Sequence, residues 1–170
     1  MSKESPKIAD DTFNGTQSIH DGEYIIRLAQ NPNYVLTLKD GKANKNTVVE
    51  LSQWNNSNAQ KWRVTRNGDR IVIRCSTNNN LVFDIYGGTI RNGSQIQVFD
   101  YHGGVNQLWI AERQSNGSYV LMTVANKAFA IDNYGGYVRN GNKIELWDVN
   151  NGVFICLAVF QRKHIIGTLG

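Results

Sequence analysis

The sequence predicts an all-β protein made of three similar units that close into a threefold barrel. Two decapeptides, starting at Asp84 and at Asp132, share seven of ten residues and lie 48 positions apart. A Gln-x-Trp marker recurs at nearly the same period, ending at Trp62 and at Trp109. Internal repeats of about 20–50 residues indicate stacked or closed arrays, and three copies are too few for a typical solenoid or propeller. A closed threefold barrel therefore fits best.

Each unit contains four short runs in which apolar and polar residues alternate, bounded by Gly and Asn. This period of two predicts β-strands, and the Asn-Gly dipeptides at 67–68, 92–93, 116–117 and 140–141 favour tight hairpins. No stretch holds a helical apolar period for three turns, so no substantial helix is expected. The expected strands are 24–28, 34–38, 48–51 and 61–64 in the first unit, 70–75, 81–85, 95–99 and 108–111 in the second, and 118–124, 129–132, 143–147 and 154–160 in the third.

The domain organisation follows from these repeats. A chain of 170 residues predicts one domain, here 21–170, with units at about 21–66, 67–114 and 115–163. Residues 1–20 are polar and lie outside the repeat, and we expect them to form a flexible tail. They lack the apolar stretch of a secretory signal peptide, and no segment is long enough to span a membrane. The expected location is the cytoplasm, unless release by lysis or a non-classical route brings the protein outside the cell.

The charge pattern and the number of cysteines indicate which partners, disulfides and cofactors to expect. The net charge is +4, but the basic residues are scattered rather than arranged in a stripe, which argues against nucleic acid. Cys75 and Cys156 are too few for a disulfide framework and are expected to be buried apolar residues, although a bridge between them stays open. No spacing typical of a metal or cofactor site is present, and we expect neither.

The second unit carries a set of polar and aromatic residues with a distinct chemistry. Asp84 ends a strand before a Gly-Gly turn, and Gln97 and Phe99 share one face of the next strand because they are two residues apart. Asn106 and Gln107 follow. A carboxylate and amides can bind adjacent hydroxyls, and an aromatic ring can pack against C–H groups. Sugars present both kinds of surface, so the set predicts carbohydrate binding.

With these motifs in register, the chain resembles the ricin B-chain-type β-trefoil lectins, and among them the galactose-binding haemagglutinin subunits that accompany clostridial neurotoxins. The resemblance covers about 21–163. It implies a six-stranded barrel capped by three hairpins, with up to three sugar sites related by pseudo-threefold symmetry. It also implies that Asp84 binds the 3- and 4-hydroxyls of galactose and that Phe99 stacks on the ring. The side chains implied to complete this site are Gln97, Asn106, Tyr86 and His102.

The same resemblance implies interior roles for the Gln-x-Trp marker. Trp62 and Trp109 are expected to pack in the core, and Gln60 and Gln107 mostly to bind backbone. Gln107 is also a candidate site residue, because it belongs to the Asp…Gln-x-aromatic…Asn-Gln set of the second unit.

The third unit keeps Asp132, Tyr134 and, at the stacking position, Trp147. It has Glu145 in place of the Gln and Phe154 in place of the Asn. Two carboxylates at close range raise one pKa. We therefore expect this site to bind sugar with an altered preference and more weakly at high pH. The alternative is that Trp147 is only partly exposed and the site is empty.

The first unit has lost the key chemistry. Thr37 aligns with the Asp, Glu50 with the Gln and Ser52 with the aromatic residue. The first-unit site is therefore expected to be lost. The alternative is that the ring of Trp54 substitutes for the missing aromatic residue.

The sequence thus predicts a non-enzymatic, multivalent lectin for galactose or N-acetylgalactosamine-type glycans of glycoproteins and glycolipids. Docking into a toxin complex is an expected added role. Catalysis would need a carboxylate pair, and Asp132 with Glu145 is the only pair to test. The main alternative is a protein-binding β-trefoil, an inhibitor or assembly subunit, because one fold hosts many functions.

Overall fold

The computed structural model describes residues 19–149 and the backbone of 158–162. Expectations for most of segment 1–20, and for Phe154, Ile155, Cys156 and Leu157, lie outside the described residues. The described chain forms twelve strands: β1 (Gly22–Leu28), β2 (Asn31–Leu38), β3 (Val49–Gln53), β4 (Trp62–Asn67), β5 (Arg70–Cys75), β6 (Asn78–Ile85), β7 (Ile96–Asp100), β8 (Trp109–Arg113), β9 (Tyr119–Thr123), β10 (Asn126–Asn133), β11 (Asn142–Asp148) and β12 (Ala158–Arg162).

Six of these strands close into a barrel. Strand β1 pairs with β4, β4 with β5, β5 with β8, β8 with β9, β9 with β12, and β12 returns to β1. All of these pairs are antiparallel. Closure leaves no exposed edge on the barrel wall. The remaining strands form the hairpins β2–β3, β6–β7 and β10–β11, one from each unit. The predicted β-trefoil is confirmed. The helical content of the described residues consists of five three-residue 3-10 turns.

The three hairpins meet around the pseudo-threefold axis. Val48 of the first unit bridges Gln97 of the second, Gln95 bridges Glu145 of the third, and Lys143 pairs with Glu50 of the first. These three contacts join equivalent positions in cyclic order. They place the strands that carry the candidate site residues in fixed mutual positions, so each unit's site is built partly on its neighbour.

The core fills the barrel and the base of the cap with Ile, Leu and Val from all three units. Trp62 and Trp109 are both completely buried. The Trp62 ring meets Phe83 edge to face, with centroids 4.6 Å apart. Ile19 also lies in this core, so the packed domain begins before the predicted boundary at residue 21.

Candidate functional site

The predicted site residues of the second unit converge on the carboxylate of Asp84. Strand pairing places Asp84 directly opposite Gln97, and the Gln97 side chain donates from Nε2 to Asp84 Oδ1 at 3.1 Å. Asn106 and Gln107, in the 3-10 turn before β8, donate to Oδ2 at 3.2 and 2.9 Å. Asp84 is only 3% exposed. Burial of a carboxylate is tolerable here because three amides compensate it.

These hydrogen bonds leave the carboxylate with unused acceptor capacity. A carboxylate offers about four lone-pair sites, and the three amides occupy two on Oδ2 and one on Oδ1. The remaining site is on Oδ1. A hydroxyl that reaches the pocket can therefore donate to an oxygen that is already oriented. Asn106 is only half-buried and keeps a second N–H for the same hydroxyl cluster.

Gln107 has a different role from the other residues of this set. It is fully buried, and its Oε1 accepts from the backbone N–H of His102 and Gly103 while its Nε2 also donates to the Asp100 carbonyl. Gln107 therefore acts through Asp84 and through the loop 101–104 rather than by contact with a ligand. Gln60 makes the equivalent loop contacts in the first unit, with Asn55 and Gln53.

The aromatic and imidazole groups form the exposed side of the second-unit site. Phe99 is half-buried on β7, two residues beyond Gln97 and therefore on the same face. His102 lies with Nε2 3.9 Å from Asp84 Oδ2 and with its ring centroid 6.4 Å from that of Phe99. Tyr86 is 62% exposed in the turn after β6. The structure thus brings Asp84, Gln97, Asn106 and Phe99 together, with His102 at their margin.

Lys45, from the hairpin of the first unit, contacts this site of the second unit. Its Nζ lies 4.4 Å from the Phe99 ring centroid and 3.4 Å from Asp100 Oδ2. The repeat pattern of the second unit does not indicate Lys45, because this residue belongs to another unit. The aligned positions hold Asn92 and Asn140, whose side-chain oxygens likewise contact the neighbouring unit by accepting its backbone N–H groups.

The third-unit site has the same backbone frame with different charge. Asp132 faces Glu145 across β10 and β11, and both side chains are buried. Burial raises the pKa of Asp132 to about 7, and the charge of Glu145 adds to the shift. Burial also raises the pKa of Glu145, against the opposing charge of Lys143, whose Nζ is 3.7 Å away. The pKa of Asp132 is raised, as the sequence predicted for one carboxyl of the pair, but burial is the larger cause and the second carboxylate the smaller one.

The third unit also has aromatic residues at two of the candidate site positions. Trp147 occupies the position of Phe99, pairing with Ala130 as Phe99 pairs with Val82. It is 39% exposed, so the ring is only partly available. Tyr134 occupies the position of Tyr86 and is also exposed. The residue aligned with Asn106 is Phe154, which the structure does not describe.

The first-unit position lacks both a buried carboxylate facing an amide and an aromatic ring at the stacking position. Thr37 faces Glu50, and Ser52 faces Val35 where Phe99 faces Val82. Burial raises the pKa of Glu50. Trp54 aligns with Tyr101 rather than with Phe99, and Arg27 lies 5.1 Å from its ring centroid. The alignment gives Trp54 a different position from the ring it was suggested to replace.

Within 19–149 and 158–162, no group of three His, Cys, Asp or Glu side chains is placed to hold a metal ion. None of the helical turns in this part is long and apolar enough to cross a membrane. A cavity of about 780 Å³ lies on the barrel wall, lined by Ile110, Met122 and Lys127 among others, and none of the candidate site residues lines it.

Known proteins share this fold and these repeats. The family model described as ricin-type β-trefoil lectin domain-like matches residues 12–99, more than half of the chain. The main haemagglutinin component type C of Clostridium botulinum C phage is 29% identical over 101 residues, which are 58% of this chain and 32% of that protein. The chain therefore spans about a third of the length of the curated relatives it matches.

Two solved structures show the same fold at low sequence identity. The designed threefold-symmetric protein ThreeFoil has a TM-score of 0.77 at 16% identity, over 84% of this chain and 100% of its own. The Macrolepiota procera ricin B-like lectin, solved in complex with lactose, has a TM-score of 0.69 at 18% identity, over 87% of this chain and 100% of its own. With the repeats, the barrel and the family match in agreement, the chain belongs to the ricin-type β-trefoil lectin domain-like family.

Proposed function

We propose that this protein is a lectin whose principal site, at Asp84, binds galactose or N-acetylgalactosamine-type sugars. The observation that carries the proposal is the buried Asp84 carboxylate, fixed by three amides and with one acceptor position unused. Two adjacent hydroxyls suit this arrangement, because one donates to Asp84 Oδ1 and the other meets the Asn106 amide. The family match supports carbohydrate binding in general.

The Phe99 ring supplies the second element of sugar recognition. Its place on β7 puts it beside Gln97 on the face that carries the hydrogen-bonding groups. A pyranose with hydroxyls on one side and C–H groups on the other can then bind to both at once. Lys45 contacts the same ring, so part of Phe99 is already covered by the lysine side chain.

The three units differ in the charges at the site, and we expect them to differ in sugar binding for that reason. Asp84 faces a neutral amide and Asp132 faces an acid. In the first unit, the position of the Asp holds Thr37, which has no carboxylate and faces Glu50. We expect the second unit to bind most strongly, the third to bind with altered preference, and the first not to bind.

Single-site affinity should be low. A hexose has about 12 heavy atoms, and roughly 0.3 kcal/mol per atom corresponds to a Kd near 1 mM. Two sites on one rigid barrel can raise the apparent affinity for a glycan-covered surface by about 10²–10⁴-fold. The name of the phage relative, a haemagglutinin component, is consistent with this multivalent use and motivates the further proposal of a role in a toxin complex.

The test compares substitutions of the two carboxylates in the full chain. Binding of methyl galactoside is followed by NMR titration, and retention on galactose-bearing resin reports the multivalent interaction. Asp84→Asn should weaken binding at least about tenfold, because a hydrogen bond to a charged group is replaced by a neutral one. Asp132→Asn should have a smaller effect, and the double variant should not be retained.

Asp69→Asn serves as the matched control, since it removes an exposed carboxylate in the β4–β5 turn. Thermal unfolding of each variant verifies the fold. Full retention of the double variant would show that the site assignment is wrong. Protein-binding function, the alternative, would give partner capture that excess galactose does not reduce, and release of free sugar from a glycoside panel would show catalysis.

A further inference from the structure

The hairpin of the third unit carries an exposed pair of aromatic rings that the other units lack. Tyr134 and Tyr137 are 46% and 52% exposed, with ring centroids 6.0 Å apart and planes tilted by 49°. The residue aligned with Tyr137 is Thr89 in the second unit and Lys42 in the first. The second ring is therefore a specific addition to the third site.

The Tyr137 ring is held in a defined position on the hairpin. Its ring packs against Gly135, where a Cβ atom would clash with Cε2 and lie 2.7 Å from Cδ2. The guanidinium carbon of Arg139 is 4.7 Å from the ring centroid. An exposed tyrosine that is held at two places loses less conformational entropy when a ligand binds than a freely rotating one.

A buried amide pair fixes the backbone beneath these rings. Asn133 donates to the Tyr137 carbonyl at 2.9 Å, and Asn142 donates to Asn133 Oδ1 at 2.7 Å and to the Tyr134 carbonyl at 2.9 Å. Arg139 donates from Nε to Asn142 Oδ1 at 3.0 Å. This network connects the guanidinium to both tyrosine segments.

The amide pair is not required by the fold. The second unit folds with Ile85 and Ser94 at the aligned positions, and Ile85 is part of the apolar core. Two amides are costly to bury unless both are hydrogen-bonded, as they are here. Departures from the apolar pattern concentrate at functional sites. Here the departure is Asn133, whose amide donates to the Tyr137 carbonyl, the counterpart of the Thr89 carbonyl that Ser94 binds in the second unit.

We propose that Tyr137 and Arg139 form a second subsite beside the Asp132 site and that this subsite takes the neighbouring pyranose of a galactose-containing oligosaccharide. The inference rests on the proposed lectin function. Tyr134, a candidate residue of the Asp132 site, connects the two subsites, because its ring centroid lies 6.0 Å from that of Tyr137. The C–H face of the second sugar packs on the Tyr137 ring, and the Arg139 guanidinium donates to its hydroxyls.

The test isolates the third unit with Asp84→Asn in the full-length protein. Affinities are measured by calorimetry for methyl galactoside and for a panel of galactosyl disaccharides of differing linkage, lactose included. At least one disaccharide should bind about 3- to 10-fold more tightly than methyl galactoside, as expected for one added aromatic contact. Tyr137→Thr, which introduces the residue of the second unit, should abolish this preference without changing the monosaccharide affinity. Tyr137→Phe should keep it.

Tyr101→Thr controls for loss of an exposed tyrosine elsewhere and should leave the preference intact. An unchanged preference in Tyr137→Thr, or an equal loss for both classes of sugar, would overturn the inference. So would capture of a protein but no disaccharide preference. If Asp84→Asn abolishes all binding that the unsubstituted protein shows, the subsite is refuted and the proposed function stands for the second unit. If the unsubstituted protein binds no sugar, both fail.

Discussion

Asp132 and Glu145 face each other across β10 and β11 at the register position where Asp84 faces Gln97 across β6 and β7. In the second unit, the amide donates to the carboxylate at 3.1 Å. In the third unit, two buried acids meet instead, and the pKa of Asp132 rises to about 7. Close carboxylates hold one proton between them up to the higher pKa, so this pair titrates near neutrality.

The first prediction concerns stability as a function of pH. The pKa of Asp132 is about 7 when folded, against an ordinary value of 3.8. The folded state therefore binds more protons than the unfolded chain between about pH 4 and pH 7. The stabilising contribution is complete below pH 4 and is lost as the pH rises through 7, up to about 4 kcal/mol. Urea unfolding should give a lower free energy at pH 8 than at pH 5.

Glu145→Gln provides the matched variant, because it restores the amide found in the second unit. It should reduce the loss of stability between pH 5 and pH 8 and should raise the free energy of unfolding at pH 8. Glu112→Gln, on an exposed position of β8, should keep the original profile. The same pH profile in Glu145→Gln as in the unsubstituted protein would contradict the assignment.

The second prediction is that sugar binding by the third unit weakens at high pH. Ionisation of the second carboxylate removes a hydroxyl donor from the pocket and adds repulsion between Asp132 and Glu145. With Asp84→Asn silencing the second unit, methyl galactoside should bind more tightly at pH 5.5 than at pH 8. Gln97→Glu in an Asp132→Asn background should transfer the same pH dependence to the second unit. Equal affinity across this range would count against the prediction.

The sequence predicted the backbone positions of the site residues because these positions repeat from unit to unit. A separation of 13 residues joins Asp84 to Gln97 and Asp132 to Glu145, and both pairs are cross-strand partners. Alternation then placed Phe99 and Trp147 on the expected face. Both inferences depend only on strand periodicity and on the duplication.

Contacts between units were not predictable in the same way. Lys45 reaches Phe99 from 54 residues away, and that contact exists only because the three hairpins meet at the axis. The bond from Gln107 to Asp84 depends on a side-chain direction in a 3-10 turn. In the Asn133–Asn142 pair, only Asn133 departs from the other units, which have Ile85 and Leu38 at the aligned positions.

The third prediction uses the two core tryptophans. Trp62 Nε1 donates to the Leu36 carbonyl at 3.1 Å, whereas Trp109 Nε1 has no hydrogen-bond partner among the described residues. Trp62→Phe removes a hydrogen bond, and Trp109→Phe removes a buried donor that is not satisfied there. Trp62→Phe should therefore lower the free energy of unfolding by about 1 kcal/mol more than Trp109→Phe does. Urea unfolding measures both, and an equal or larger loss for Trp109→Phe would contradict the prediction.

The fourth prediction concerns thiol reactivity. Cys75 is buried and free, and burial raises the pKa of its thiol to about 12. Since the thiolate is the reactive form, Cys75 should resist alkylation in the folded protein at pH 8. Peptide mass mapping after iodoacetamide treatment, with and without urea at an unfolding concentration, should show modification of Cys75 only in urea. Rapid labelling under native conditions would be inconsistent with this burial.

The last prediction separates backbone strain from ring placement at the two Gly-Gly turns. Gly87 and Gly135 are equivalent, with φ of 63° and 60°, so alanine at either position is strained by about 1–2 kcal/mol. Their neighbours differ: a Cβ on Gly87 would meet only Thr89 Oγ1 at 3.6 Å, whereas one on Gly135 would strike the Tyr137 ring. Both variants should lose similar stability in thermal unfolding, because the tyrosine can swing away. Only Gly135→Ala should then lose the disaccharide preference of the third unit in the Asp84→Asn background, with its monosaccharide affinity retained. Loss of that preference in Gly87→Ala as well would mean that strain in the turn, and not the position of the Tyr137 ring, controls oligosaccharide binding.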